Sequence, residues 1–199
     1  MSAGVSVLAL HYQNEVLHPD GLIRVGVSAC DPRRVELIRS AAELIRGARE
    51  RHWPVMHVRI AFRGDYSDCP RNTPVFRQTM ALGAVRDGQW GAEFLAELAP
   101  LASEREFVFT HTRISGFAGT ALEQTLRLLG VQRLLVGGVA THSVVESTVR
   151  DAADRGFEVL VAADACSAGS AAVHDASLAS MSLMAEITDV QRGFESLNS

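Results

Sequence analysis

Short apolar runs alternate along the chain with stretches in which apolar residues recur every three or four positions. Ser6 to His11 (SVLALH) is such a run and predicts a buried strand. Asp31-Pro32 predicts a helix start, with the carboxylate as N-cap and proline at the first helical position. Two apolar rows follow at helical spacing: Val35, Ile38, Ala42, Ile45 and Leu37, Ala41, Leu44, Ala48. Val55 to Phe62 places Met56, Val58, Ile60 and Phe62 at alternate positions, the period of a second strand. Pro and Gly punctuate Arg63 to Ala102, which predicts one or two short helices, and Phe107 to Thr110 predicts a third strand. Thr120-x-x-Glu123 reads as a capping box for a helix ending at Gly130. Arg133 to Gly138 predicts a strand. Ser143-x-x-Glu146 reads as a second capping box, for a helix stopped by Gly156. Glu158 to Ala163, Ala171 to Met184 and Glu186 to Val190 complete the series as strand, helix and strand.

Strands that alternate with helices, and are themselves apolar, predict a parallel sheet covered on both faces. The expected class is α/β: a Rossmann-like three-layer αβα sandwich with a mostly parallel sheet of about six strands, as a single domain over residues 1–199. Ligands of such sheets bind at the carboxyl ends of the strands. That directs attention to His11 to Val16, Phe62 to Tyr66, His111 to Phe117, Val139 to Val145 and Asp164 to Ser167.

Composition narrows the chemistry. Apolar residues make up 47% of the chain, enough for a packed core. The net charge of −4 gives no pull toward nucleic acid or an anionic membrane, so neither is expected as a partner. No apolar run approaches the ~20 residues that span a bilayer. Met1 to Val7 lacks the basic region of a signal peptide. All 19 of the basic residues are arginine. A Schiff-base lysine, a P-loop lysine and any lysine-containing triad are therefore excluded. Cys30, Cys69 and Cys166 are odd in number and widely spaced, which argues for free thiols in a reducing cytosol and a cytoplasmic protein.

Several of the strand-end segments resemble those of isochorismatase-like hydrolases. Leu8-Ala9-Leu10-His11-Tyr12-Gln13-Asn14-Glu15-Val16 resembles the family's opening strand and its Gln-Asn-Asp/Glu pattern. Ser115-Gly116-Phe117-Ala118-Gly119-Thr120-Ala121-Leu122 resembles its Ser-Ala-Phe-x-Gly-Thr-x-Leu. Gly137 to Ala152 (GGVATHSVVESTVRDA) resembles its signature strand-to-helix turn, and Gly156-Phe157 and Asp164-Ala165-Cys166 continue the match. The resemblance implies a homo-oligomer, a non-proline cis peptide near Val139–Ala140, and an oxyanion site formed by amides at the start of the following helix. It also implies an Asp-Lys-Cys triad, and there this chain departs. His11 stands at the Asp position, His111 at the Lys position and Val144 at the Cys position. Val144 carries no nucleophile, so acyl-enzyme chemistry at that position is excluded.

His11 and His111 are the candidate catalytic pair. The resemblance implies that both end adjacent strands and face one pocket. An ordinary imidazole pKa near 6.5 suits either for proton transfer at neutral pH. The pair is expected to run noncovalent acid–base hydrolysis of a small carbonyl- or enol-ether-containing metabolite. The alternative is a catalytically silent family member that binds a small molecule or a partner subunit. Val16, Trp90, Val139, Ala140, Thr141, Ser143 and Val144 are the expected substrate pocket or oxyanion site. Ser143 as nucleophile is disfavoured because a capping box with Glu146 already accounts for it. Arg63 and Arg113 are strand-end cations at the expected rim, suited to carboxylates. His57 is expected to be a satisfied core histidine and Cys166 a packing residue. His11 and His111 supply two nitrogens, short of the three or four ligands zinc takes, so neither metal nor cofactor is expected.

Overall fold

A computed structural model describes residues 4–23 and 31–198. Cys30 and the first three residues of the N-terminal segment lie outside the described residues. Six strands, β1 (Gly4–Leu10), β2 (Val55–Ile60), β3 (Glu106–His111), β4 (Val131–Val139), β5 (Glu158–Ser167) and β6 (Glu186–Thr188), form one sheet in the order β3-β2-β1-β4-β5-β6. Every pairing is parallel. The expected α/β class is therefore the observed one.

Alternate residues of a strand face opposite sides, and the strands use this to build two cores. Val5, Val7 and Ala9 of β1 pack with α2 (Arg33–Glu50) and α7 (Val190–Leu197). Leu8 and Leu10 of the same strand pack with α4 (Leu122–Leu128), α5 (Glu146–Asp154) and α6 (Ala171–Met181). The sheet is thus the middle layer of three.

Helix starts follow the sequence in part. Asp31 Oδ1 accepts the Arg33 amide at 2.9 Å, and Pro32 already has helical dihedrals, so Asp31 does cap α2. Of the two apolar rows, Leu37, Ala41, Leu44 and Ala48 form the buried one, whereas Val35 is exposed. Thr120 Oγ1 accepts the Leu122 amide at 3.3 Å, but Glu123 reaches Arg155 rather than closing a capping box. The last expected strand, Glu186 to Val190, is observed as β6, and α7, which the sequence reading did not include, follows it. Asp189 accepts the Arg192 amide at 2.8 Å, and Val190, Phe194 and Leu197 form its buried face. A single turn, α1 (Asn14–Leu17), follows β1, and the long segment between β2 and β3 holds α3 (Pro74–Leu82) and two single 3-10 turns, Trp90–Ala92 and Ala96–Leu98.

Candidate functional site

β1 and β4 lie at the centre of the sheet, where the strand order reverses, and the crevice of such folds opens there. β1 stops at Leu10. The His11 amide still donates to Val58 O at 2.8 Å, but its backbone turns to φ +55, a region that His, Asn and Asp tolerate better than most residues. His111 is the last residue of β3. The two strands are not neighbours, contrary to the expectation from the sequence, because β2 lies between them. The side chains nevertheless meet. Nε2 of His11 is 2.5 Å from Nε2 of His111, with ring centroids 4.8 Å apart.

The hydrogen-bond partners assign the tautomers. His111 Nδ1 lies 3.1 Å from Ser115 O, and a carbonyl only accepts, so His111 Nδ1 carries the proton. Its Nε2 must then accept, which makes His11 Nε2 the donor between the rings. His11 Nδ1 remains as a bare acceptor without a hydrogen-bond partner among the described residues. Neither ring has a carboxylate within hydrogen-bond reach among those residues. Burial, reinforced by the neighbouring His111, holds the His11 pKa well below the usual imidazole value. Burial likewise lowers His111 to about 4, opposed by its bond to the Ser115 carbonyl. Both rings are therefore neutral at pH 7, which corrects the expectation of a pair titrating near neutrality.

His11 opens onto a small apolar cavity of about 50 Å³. Its walls include Val16, Ile60, Phe76 and Val85, together with Val139 and Ala140 at the end of β4. The Val139–Ala140 peptide is cis, as the resemblance implied. Ser143 also lines the cavity, and here a sequence reading fails. The Ser143–Glu146 capping box does not form. The helix begins earlier, with a wide π-type turn over Thr141–Val145, and the Ser143 amide donates to Ala140 O at 3.1 Å. The Glu146 carboxylate is occupied by Arg150, Ser177 and Ser180.

Three other expected pocket residues sit elsewhere. Val144 is 1% exposed and belongs to the core beneath the sheet's far face. Thr141 Oγ1 is 2.8 Å from His174 Nδ1. Trp90 is half-exposed, stacks edge-on against His18 at 5.0 Å and does not line the cavity. Arg113 lines the cavity as expected, but Arg63 is an exposed side chain 3.7 Å from Asp65. The walls from α3, Val75 and Phe76, were not anticipated, because spacing along the chain says nothing of a remote helix folding over a strand end. Glu15 was also overlooked. It is buried and accepts the amides of Leu22 at 2.7 Å and Val85 at 3.1 Å, fixing two segments of the cavity wall.

Cys166 is buried, and burial pushes its thiol up to about 12, so it carries no thiolate at neutral pH. Among the described residues no group of three or more His, Cys, Asp or Glu is placed to hold a metal ion, and no helix is long and apolar enough to cross a membrane.

A doubly wound parallel sheet with a small cavity at its switch point defines a class: α/β proteins that handle small molecules at the carboxyl edge. Within that class the chain belongs to the isochorismatase family, whose isochorismatase domain matches residues 6–192. It is similar to the isochorismatase family protein YecD of Escherichia coli O157:H7, 32% identical over 143 residues, covering 72% of this chain and 73% of that protein. It is also similar to the ureidoacrylate amidohydrolase RutB of Methylobacterium radiotolerans, 30% identical over 191 residues, 88% of this chain and 72% of that protein. Among solved structures, an isochorismatase family protein from Desulfovibrio vulgaris superposes with a TM-score of 0.87 at 28% identity over 100% of both chains.

Proposed function

We propose that this protein hydrolyses a small carbonyl-containing metabolite by noncovalent base catalysis, with His11 as the general base and His111 as its partner. The observation that carries the proposal is the direct imidazole contact at an apolar cavity, with His11 Nδ1 left bare among the described residues. In the proposed step, His11 Nδ1 takes a proton from water while the water oxygen bonds to the carbonyl carbon and the C=O electron pair moves onto its oxygen. As the bond to the leaving group breaks, the proton on Nδ1 passes to the leaving atom and the neutral pair is restored. His11 donates from Nε2 to His111 throughout, so His111 stabilises the transient imidazolium. The Val139, Ala140 and Ser143 segment borders the cavity where the carbonyl oxygen would lie. With Val144 in place of a nucleophile, water is the attacking group.

The neutral pair favours one of the two substrate classes. Enol-ether cleavage starts with a proton donor, and a group with a pKa of about 4 is protonated in roughly one molecule in a thousand at pH 7. Carbonyl hydrolysis starts with a base, which is the populated state. A base this weak suits an activated ester better than an amide. The test is hydrolysis of p-nitrophenyl butanoate by the wild type, His11→Asn and His111→Asn. Each substitution is expected to lower kcat/KM by about 10²–10⁴-fold. Equal rates for wild type and His11→Asn would remove the proposal.

A second reading rests on the same weak basicity and the missing carboxylate: a catalytically silent family member that binds a small molecule or partner subunit. It predicts ligand-induced stabilisation without turnover. We further propose a cytoplasmic homo-oligomer that uses no metal or cofactor, and light scattering of the purified protein measures its oligomeric state.

A further inference from the structure

We propose that the ligand is an apolar carboxylic acid, held by its carboxylate at Arg113, with its chain in the cavity that ends at His11. The inference rests on the hydrolase reading only for the scissile group and not for the carboxylate.

Arg113 is two residues beyond His111 and lines two adjoining cavities. The inner one is the apolar cavity of His11. The outer one is a more polar groove that shares Phe76, Arg113 and Ile114 with it. Arg113 is therefore the cation at the solvent end of a passage whose buried end is the imidazole pair. Only Nη1 of its guanidinium is engaged among the described residues. Among the described residues it donates only to the carbonyl and hydroxyl of Thr112, at 2.9 and 2.8 Å, and it forms no ion pair. A guanidinium with free donors at the mouth of an apolar cavity matches a carboxylate, which can take two of them at once.

The one carboxylate lining the groove, Asp68, accepts the Arg63 amide at 3.0 Å and makes no ion pair with Arg113. The inner cavity contributes no compensating charge, since its other polar side chains, His11, Thr79 and Ser143, are neutral. An anion thus has one electrostatic partner here, and an aliphatic chain has Ile60, Val75, Phe76 and Val85 to lie against.

The experiment measures melting temperature against concentration for butanoate and hexanoate, with butanamide and hexanamide as neutral counterparts. The acids are expected to stabilise the wild type, hexanoate more than butanoate, with the amides at least about tenfold weaker. Arg113→Gln should weaken hexanoate by about tenfold or more, Arg113→Lys should recover part of the loss, and Arg63→Gln should change nothing. Binding needs no turnover, so His11→Asn should slow ester hydrolysis by about 10²–10⁴-fold while hexanoate still binds more tightly than hexanamide, which separates failure of the one idea from failure of the other. The proposal is overturned if neither acid stabilises the protein, if the amides match the acids, or if Arg113→Gln binds hexanoate as the wild type does.

Discussion

Two buried histidine sites differ in what stands behind the ring. His57, in the middle of β2, places Nε2 2.9 Å from Glu106 Oε2. Glu106 is in turn gripped by Arg49 through two bonds of 2.8 and 2.9 Å and accepts the Leu101 amide. Every carboxylate oxygen there has a partner, and the ring lies fully inside the protein. Among the described residues, His11 and His111 have no carboxylate within hydrogen-bond reach. One imidazole leans on the other, and the chain of bonds ends at a peptide carbonyl. The first network ties β2 and β3 to α2 and leaves His57 Nδ1 sealed in the interior, without a partner among the described residues. The second leaves an acceptor nitrogen, unbonded among those residues, on a ring that lines a cavity. Burial therefore yields a brace in one place and a candidate base in the other, and the carboxylate behind the first ring and the cavity beside the second make the difference.

The sharpest way to break this contrast is at Glu106. Glu106→Ala strands Arg49 and His57 without their shared acceptor, and about 3–5 kcal/mol of unfolding free energy should be lost in urea titrations. His11→Asn should cost little stability by the same measurement, since it leaves no buried charge and suits the left-handed backbone.

Acid provides the next largest effect. The folded-state pKa of both rings lies below the unfolded value of 6.5, so between pH 6.5 and about 4 the unfolded chain takes up protons that the folded chain refuses. Stability is full above pH 6.5 and falls as the pH drops, by up to about 1.4 kcal/mol per pH unit for each group. The double variant His11→Asn/His111→Asn should flatten this slope relative to wild type. An unchanged slope would mean that the pair is not buried neutral.

Smaller still is Gly91→Ala. A Cβ there would stand 2.0 Å from Glu15 Oε2, the oxygen that holds Val85. A loss of about 1–3 kcal/mol is expected, with weaker ligand binding because the cavity wall shifts. At the bottom of the scale, Arg63→Gln should leave the melting temperature unchanged, its side chain being exposed and loosely paired.

The layers were legible because period and capping are local. β1, β2 and the buried row of α2 follow directly from apolar spacing, and Asp31-Pro32 marks a real helix start. The last strand was read correctly as β6, and the helix after it was legible too, in Asp189 and the 190–194–197 row, but the reading stopped at the strand. Ser143-x-x-Glu146 misled for a related reason. A capping motif specifies which bonds could form, whereas Arg150, Ser177 and Ser180 decide where Glu146 actually goes. The site was half legible. Residues at strand ends could be named, and His11 and His111 among them do touch. Their depressed pKa values could not be read, because burial is set by the remote segments that cover them. Trp90 was misplaced and α3 was missed for the same reason: their contacts depend on how a long connection folds back.

The central claim is that His11 and His111 form a neutral, oriented pair with one free basic nitrogen. The direct measurement is the ¹⁵N spectrum of the ring nitrogens followed from pH 8 to 5. The account predicts a single tautomer for each ring, protonated on Nδ1 in His111 and on Nε2 in His11, with neither ring titrating above pH 5. A midpoint near 6.5 for either ring, or a proton on Nε2 of both, would contradict it.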